Sequence, residues 1–296
     1  MPETELSSTP RYVLPAIAVA LCGAMWGVFW LPLRWLADQG VGGGWVSLVF
    51  NAVSALAPLP WLLRRSRWAG ARSHLLTGLL LGSAFALYTV SLAMTDVLHA
   101  ILLFYLTPVW STLGGWLLFK ERLGASRILA IVFGLGGLAL ILGIADGWPL
   151  PRNAGDWTAL ASGMCWAAGT LRSYAKPSPG IALPVFLFSL GGLASSAIIL
   201  MIGSALAMPL ANAGNLLQAM PWMILLALIF FVPPNFLVLW AAQRIDPGRV
   251  GILLMGEVLV GSISAALLSG QPFGPAEFAG TLLIVCAGLV EVVGRR

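Results

Sequence analysis

Glu257 is the side chain with the clearest capacity for acid–base or charge chemistry, because it is the one carboxylate well inside an apolar stretch of this sequence, 249–269. A charged group at the centre of a membrane costs about 2.5–3.5 kcal/mol even on the scale from insertion experiments. One interpretation is a site for a substrate amine or a proton. The other is a protonated or hydrogen-bonded acid that holds two helices together. The sequence leaves both open.

Six aromatic side chains with an N–H or O–H group lie deep in other apolar stretches, where these groups need partners away from lipid. An aromatic-lined cavity and ordinary helix packing both account for them. Two buried amides also need partners or water, and one histidine lies at the expected mouth of the cavity. Together with Glu257, these residues are the substrate-binding candidates: Trp26, Asn51, Tyr88, His99, Tyr105, Trp110, Trp166, Asn235 and Trp240.

Three prolines inside apolar stretches are candidate hinges: Pro108, Pro233 and Pro234. A proline has no backbone N–H, so the carbonyl four residues earlier loses its helical partner. Pro108 should therefore free the carbonyl of Phe104, and a static kink is the alternative to a hinge. The other two prolines lie at a depth that corresponds to 82–83 in the first half. Paired interruptions of this kind are typical of transporter binding regions.

Motifs for catalysis or metal binding do not occur in the sequence. The two histidines, His74 and His99, fall at opposite ends of the predicted helices. There is no HExxH pattern, no Cys/His cluster and no phosphate-binding P-loop. We therefore expect no metal, no cofactor and no enzymatic activity.

The residues above belong to a chain that is too apolar for a water-soluble domain. Its 296 residues are 59% hydrophobic and 9% charged, with a mean hydropathy of +0.93, whereas a soluble domain has about a quarter charged residues. A membrane-spanning helix needs about 20 apolar residues. The apolar stretches predict an all-α polytopic membrane protein with ten transmembrane helices at 12–36, 45–63, 74–94, 98–119, 126–145, 157–175, 181–207, 220–243, 249–269 and 277–294.

The basic residues indicate the orientation of these helices. With the N-terminus in the cytoplasm, fourteen of the 16 Lys and Arg residues fall at cytoplasmic ends, and only Arg34 and Arg152 fall outside. Basic residues are retained on the cytoplasmic side, so both termini are predicted to be cytoplasmic. The net charge of +5 then reflects topology, and no basic face remains for nucleic acid.

The two halves of the sequence resemble each other. A shift of 150 residues aligns 100–106 (AILLFYL) with 250–256 (VGILLMG), and a shift of 140 aligns Trp26 with Trp166. Five helices per half is an odd number, so the second copy starts on the opposite side of the membrane. Such inverted repeats are typical of transporters. The predicted divisions are a cytoplasmic tail at 1–11, a first repeat at 12–145, a periplasmic loop at 146–156 and a second repeat at 157–296.

With these motifs, the sequence resembles the EamA-type ten-helix carriers of the drug/metabolite transporter superfamily, and among them the aromatic amino acid exporters of bacteria. The likeness rests on 24–30 (AMWGVFW) with its partner 164–170 (MCWAAGT), on 105–124 (YLTPVWSTLGGWLLFKERLG) and on the glycine-rich fifth and tenth helices. The second repeat departs from the pattern, with Gln271–Pro272 in place of Glu121–Arg122. The resemblance implies a central cavity lined by helices 1–4 and 6–9, with helices 5 and 10 packed outside.

The resulting hypothesis is a secondary transporter, a monomer in the bacterial inner membrane, that exports amino acids, aromatic and other neutral ones, by alternating access. Its expected partners are this small-molecule substrate and the lipid bilayer. A proton-coupled drug or metabolite exporter is the alternative within transport. A membrane-embedded enzyme is the alternative from another class, and it would need an acid–base or metal group that the sequence lacks.

The repeat also predicts a pair of gates. The outer gate is expected where helices 3 and 4 meet, around Asp96 and His99. The inner gate is expected 150 positions later, around Asp246 and Arg249. In a transporter with inverted repeats the two halves exchange conformations, so closing one gate should open the other.

Overall fold

The computed structural model describes residues 9–64, 68, 70–119, 124–142, 151–203, 211–241, 253–254, 256–268, 270 and 273–293. All regular secondary structure in this part of the chain is helical. The helices are α1 (Thr9–Gly27), α2 (Trp30–Asp38), α3 (Gly43–Leu56), α4 (Leu59–Leu62), α5 (Ala71–Met94), α6 (Val97–Phe104), α7 (Thr107–Phe119), α8 (Ala125–Leu142), α9 (Ala154–Ala175), α10 (Ala182–Met201), α11 (Ala213–Leu226), a π-helical turn (Ala227–Phe231), α12 (Val232–Ala241), α13 (Gly256–Leu268) and α14 (Pro275–Val293).

Four of the apolar stretches that predict continuous helices are interrupted in the structure. Pro58 precedes α4, Pro108 lies at the start of α7, and the π-helical turn ends just before Pro233. Each proline removes a backbone donor, which explains a break or a widened turn nearby. The break between α1 and α2, at 28–29, contains no proline and is bridged by backbone hydrogen bonds between residues three positions apart.

The helix α5 makes the most extensive helix contacts, against α9 and α10. It approaches α10 so closely that a Cβ atom on Gly82 would lie 2.2 Å from both the backbone N of Gly192 and the carbonyl oxygen of Phe188. Helices α8 and α14 pack mainly against each other. They correspond to the fifth and tenth predicted helices, which the resemblance places outside the cavity.

One hydrogen bond between α1 and α12 has a counterpart between α9 and α5. Cys22 Sγ in α1 donates to the carbonyl of Pro234 at 3.9 Å. Ser162 Oγ in α9 donates to the carbonyl of Ala84 at 2.6 Å. Ser162 lies 140 positions after Cys22, and Pro234 lies 150 positions after Ala84. The shifts that align the sequence halves therefore also align these contacts.

The contact between α3 and α10 contains a second matched pair. Ser196 donates to Ser47 at 2.8 Å, and Ser189 donates to Ser54 at 2.9 Å. A shift of 142 positions carries Ser47 onto Ser189 and Ser54 onto Ser196. Exchanging the two halves thus maps each serine pair onto the other, as a two-fold relation between the halves requires.

The surface of the described helices suits a lipid environment. Many large apolar side chains are exposed on it, such as Leu63, Met201 and Leu217. Four helical stretches in the described part of the chain are long and apolar enough to cross a membrane: Leu14–Asp38, Ala71–Met94, Ala182–Met201 and Ala213–Ala241. Shorter apolar helices accompany them. These features fit a polytopic membrane protein.

Candidate functional site

Glu257 lies in the first turn of α13 and is 4% exposed. The Tyr88 hydroxyl of α5 donates to its Oε1 at 3.0 Å. The Tyr105 hydroxyl lies 2.7 Å from its Oε2 and 3.0 Å from the carbonyl of Leu254. Since a carboxylate has about four lone-pair sites, these two hydroxyls leave acceptor capacity on Glu257. The structure thus brings three of the candidate residues into direct contact.

The break between α6 and α7 positions Tyr105 for this contact. Pro108 cannot donate to the carbonyl of Phe104, and the Thr107 hydroxyl takes that place at 2.7 Å. This hydrogen bond agrees with the prediction that Pro108 leaves the Phe104 carbonyl without a helical donor. Tyr105 follows α6 in a turn, with φ −76° and ψ 10°, and its ring extends to α13 rather than along α6.

A wall of aromatic rings stands beside Glu257. Phe104 lies at its centre, with ring centroids 4.7 Å from Tyr88, 5.2 Å from Tyr105 and 6.1 Å from Trp166. Trp166 therefore reaches the group through Phe104. Sequence reasoning missed Phe104 because its ring has no polar atom, although its position four residues before Pro108 marks it.

A second group of rings, the phenylalanine cluster, was also missed. Its closest pair is Phe85 with Phe231, whose centroids are 4.1 Å apart. The rings come from α5, α3, α10, the π-helical turn and the break after α1, so only the folded chain assembles them. The cluster consists of Phe29, Phe50, Phe85, Phe188, Phe230 and Phe231.

Trp26 bonds the backbone of the π-helical turn, just before the two prolines of α12. Pro234 has no N–H, so the carbonyl of Phe230, four residues earlier, lacks its helical donor. The indole Nε1 of Trp26 donates to that carbonyl at 3.2 Å. Trp26 thereby joins α1 to the π-helical turn. Pro234 is buried and Pro233 is exposed.

Four candidate residues lie apart from the Glu257 group. Asn51 donates to the Ser47 carbonyl at 2.8 Å, and its Oδ1 is buried without a partner in the described part of the chain. The Asn235 Nδ2 and Trp110 Nε1 atoms are likewise buried there without partners. Trp240 packs against a small apolar cluster of α1 and α12.

A polar network, the Asp156 network, closes the end of the bundle where α5, α6 and α9 meet. Asp156 is fully buried, accepts from the Thr95 hydroxyl at 2.5 Å and the Arg152 N–H at 3.0 Å, and lies 3.8 Å from His99 Nδ1. Arg34 donates to the Thr95 carbonyl. The outer gate was expected around Asp96 and His99, but Asp156 is the carboxylate that His99 approaches. Asp246 and Arg249 lie outside the described residues.

Asp156, in the first turn of α9 and outside the predicted span, should make this end of the bundle sensitive to acid. Burial raises its pKa, but the His99 ring and the hydrogen bonds from Thr95 and Arg152 outweigh burial and lower the pKa. Its stabilising effect is therefore complete at neutral pH and is lost as the pH falls through the lowered pKa. We expect Asp156→Asn to cost about 1.5–3 kcal/mol of stability at pH 7 and progressively less in acid.

Thermal unfolding at pH 7 and at pH 4 and below checks this expectation. Asp38→Asn, at the exposed end of α2, is the matched control and should leave the melting temperature nearly unchanged. A melting temperature of Asp156→Asn that equals the wild-type value at pH 7 would contradict the role of the network.

The described helices thus hold a buried acid–tyrosine group and, at one end, the Asp156 network. Residues 13–143 match the EamA-like transporter family. The EamA-like match begins in α1, ends just beyond α8, and includes Tyr88 and Tyr105 but not Glu257. It supports the drug/metabolite transporter superfamily and a membrane transporter of that type. EamA-like proteins are transporters, so the match favours transport over catalysis.

The fold is shared with solved structures, of which sixteen chains match. One, described as the crystal structure of a protein, is 18% identical, with a TM-score of 0.56 over 93% of this chain and 96% of that chain. This likeness concerns the fold alone, and it extends beyond the EamA-like match into the second half. No curated protein matches the sequence.

Proposed function

We propose that the protein is a secondary transporter that exports amino acids, aromatic and other neutral ones, across the bacterial inner membrane by alternating access. The observation that carries the proposal is the Glu257 group. Its carboxylate would bind the substrate amine, and the rings of Phe104 and Trp166 would contact the substrate side chain. A buried ionisable residue inside a membrane protein is by default a candidate functional site, and the EamA-like match supports transport.

The proposal includes ten transmembrane helices in two inverted repeats, 12–145 and 157–296, with both termini in the cytoplasm and a single chain as the working unit. The matched hydrogen bonds of α1 with α12 and of α9 with α5 support the relation between the halves. The distribution of Lys and Arg supports the orientation. In this frame the Asp156 network is the closed outer gate.

A proton-coupled drug or metabolite exporter is the second candidate. Glu257 favours it as well, because the same carboxylate could exchange a proton while the aromatic wall binds an apolar cation. The two candidates differ in whether the substrate needs a carboxylate of its own. Amino acids have one, whereas lipophilic amines do not.

Transport in liposomes tests the proposed function. The purified full chain is reconstituted, and the flux of radiolabelled L-phenylalanine, L-tryptophan and L-alanine is measured with and without a pH gradient. We expect flux of the aromatic amino acids above protein-free liposomes. Flux of no amino acid would overturn the proposal, and flux of phenethylamine alone would favour the drug exporter.

Trp166 is expected to contribute to selectivity for aromatic substrates. An aromatic pair contributes about 1 kcal/mol, so Trp166→Ala should lower the flux of L-phenylalanine about fivefold relative to L-alanine. Trp61→Ala, a Trp that is 61% exposed in α4, is the matched control. An unchanged flux ratio together with a lower melting temperature would assign Trp166 to packing.

A further inference from the structure

A cleft opens at the end of the bundle opposite the Asp156 network. It lies between the first turns of α5, the last turns of α9, the start of α10 and α12. Asp156 lies at the start of α9 and Thr95 follows α5, so these antiparallel helices have their polar network at one end and the cleft at the other. Among the described residues, one end thus has a hydrogen-bonded network and the other has the cleft.

The walls of this cleft carry donors suited to an anion. They include the imidazole of His74, the ammonium group of Lys176 and the hydroxyls of Thr77, Ser173 and Ser178. No Asp or Glu is among the lining residues that the structure describes. A lysine and hydroxyl donors form a favourable site for a carboxylate group.

Thr77 provides an independent sign of a ligand. The residue is 8% exposed, lies in the wall of the cleft and has its Oγ1 buried without a hydrogen-bond partner in the described part of the chain. Leaving a buried polar group unpaired costs about 1–3 kcal/mol. A threonine in a helix often avoids that cost by bonding a carbonyl one turn earlier, as Thr89 does to Phe85 at 2.9 Å. Thr77 does not.

The floor of the cleft is apolar. Leu81, Leu187 and Phe188 line it. Phe188 also belongs to the phenylalanine cluster, with its ring centroid 6.0 Å from that of Phe231. The cleft therefore combines a polar rim with a hydrophobic floor that continues into the centre of the bundle. In this conformation the cleft volume is about 30 Å³, enough for a carboxylate group but not for an aromatic ring, so an apolar tail binds only where Leu81, Leu187 and Phe188 move apart.

We propose that this cleft is a binding site for organic carboxylates with an apolar tail, with the carboxylate at His74, Thr77 and Lys176 and the tail against Phe188. The role of this cleft as the entry point of the transported substrate rests on the proposed function. The cleft binds the carboxylate end of an amino acid first, and the amine reaches Glu257 only deeper in the protein. The two ends of the substrate are thus recognised at separate places.

Equilibrium dialysis with the purified full chain in detergent tests the site without transport. The probes are radiolabelled 3-phenylpropionate, which has the carboxylate and ring but no amine, and phenethylamine, which has the amine and ring but no carboxylate. We expect the double variant His74→Gln/Lys176→Gln to raise the Kd for 3-phenylpropionate about tenfold. Its Kd for phenethylamine should stay within twofold of the wild-type value.

Two single variants sharpen the test. Thr77→Val keeps the size of the side chain and removes the hydroxyl, so it should weaken 3-phenylpropionate binding about fivefold even if the double variant fails to fold. Arg72→Gln removes a positive charge from the same end of α5 outside the cleft lining and should change the Kd less than twofold. The proposal is overturned if Thr77→Val and the folded double variant both bind 3-phenylpropionate as the wild type does. It is also overturned if Arg72→Gln weakens this binding as much as Thr77→Val does.

Failure of the site and failure of the proposed function are distinguishable. If 3-phenylpropionate binds as expected but liposomes transport no amino acid, the carboxylate site stands and amino acid export falls. If amino acids are transported and the cleft variants bind 3-phenylpropionate as the wild type does, the site falls and transport stands.

Discussion

Replacing Glu257 with Gln is expected to abolish any response of amino acid flux to a pH gradient. Glutamine has nearly the same size and can still accept a hydrogen bond from Tyr88 or Tyr105, but it cannot take up or release a proton. It also loses the charge that would pair with a substrate amine. Losing one member of a buried charge pair costs about 2–5 kcal/mol, so we expect flux to fall at least about 30-fold.

Flux in liposomes with and without an imposed pH gradient measures this effect. Glu257→Asp, which keeps the carboxylate but shortens the side chain, should retain the gradient response with weaker substrate binding. Tyr105→Phe removes one of the two hydroxyls that bond Glu257 and keeps the ring, so its effect should be intermediate. If Glu257→Gln still responds to the gradient, Glu257 holds α5 and α13 together and takes no part in coupling.

The second large effect is expected from Gly82→Ala in the contact of α5 with α10. The new Cβ would lie 2.2 Å from backbone atoms of both Gly192 and Phe188, and no side-chain rotation relieves a clash with backbone. Alanine would otherwise favour the helix by about 1 kcal/mol over glycine. We expect a net loss of about 3 kcal/mol or more, with little folded protein recovered.

Thermal unfolding and the elution profile in detergent measure this loss. Gly256→Ala is the control, because it is also a helical glycine and a Cβ there meets no atom within 4 Å. It should keep or raise the melting temperature. A Gly82→Ala protein that is as stable as Gly256→Ala would mean that the two helices separate at little cost.

Backbone chemistry made the proline effects predictable from the sequence. The absence of an N–H at Pro108 and Pro234 determines which carbonyls lose a helical donor, whatever the rest of the chain does. In the structure, the Thr107 hydroxyl donates to the first of these carbonyls and the Trp26 indole donates to the second. Thr107 is adjacent in sequence to Pro108, but Trp26 is 204 positions from Phe230, and no local pattern selects it.

The partners of buried polar groups depended on the tertiary structure. The sequence shows that Glu257 and the deep tyrosines need hydrogen-bond partners, because unpaired polar groups are costly in an apolar medium. It does not determine that they satisfy each other, across 169 and 152 positions of sequence. Similarly, His99 had Asp96 as a nearby candidate partner, yet the packing of α9 against α5 and α6 brings Asp156 to it.

The sequence by itself determined the membrane class, the apolar stretches that hold the helices, the likeness of the two halves and the need of Glu257 for partners. These follow from composition and local spacing, because burial in lipid acts on each stretch separately. Only the tertiary structure decided the phenylalanine cluster, the Asp156 network and the cleft at His74 and Lys176. Each of the three is assembled from several helices. Apolar rings also pack without directional bonds. The neighbours of each side chain are therefore fixed by how whole helices pack rather than by spacing along the chain.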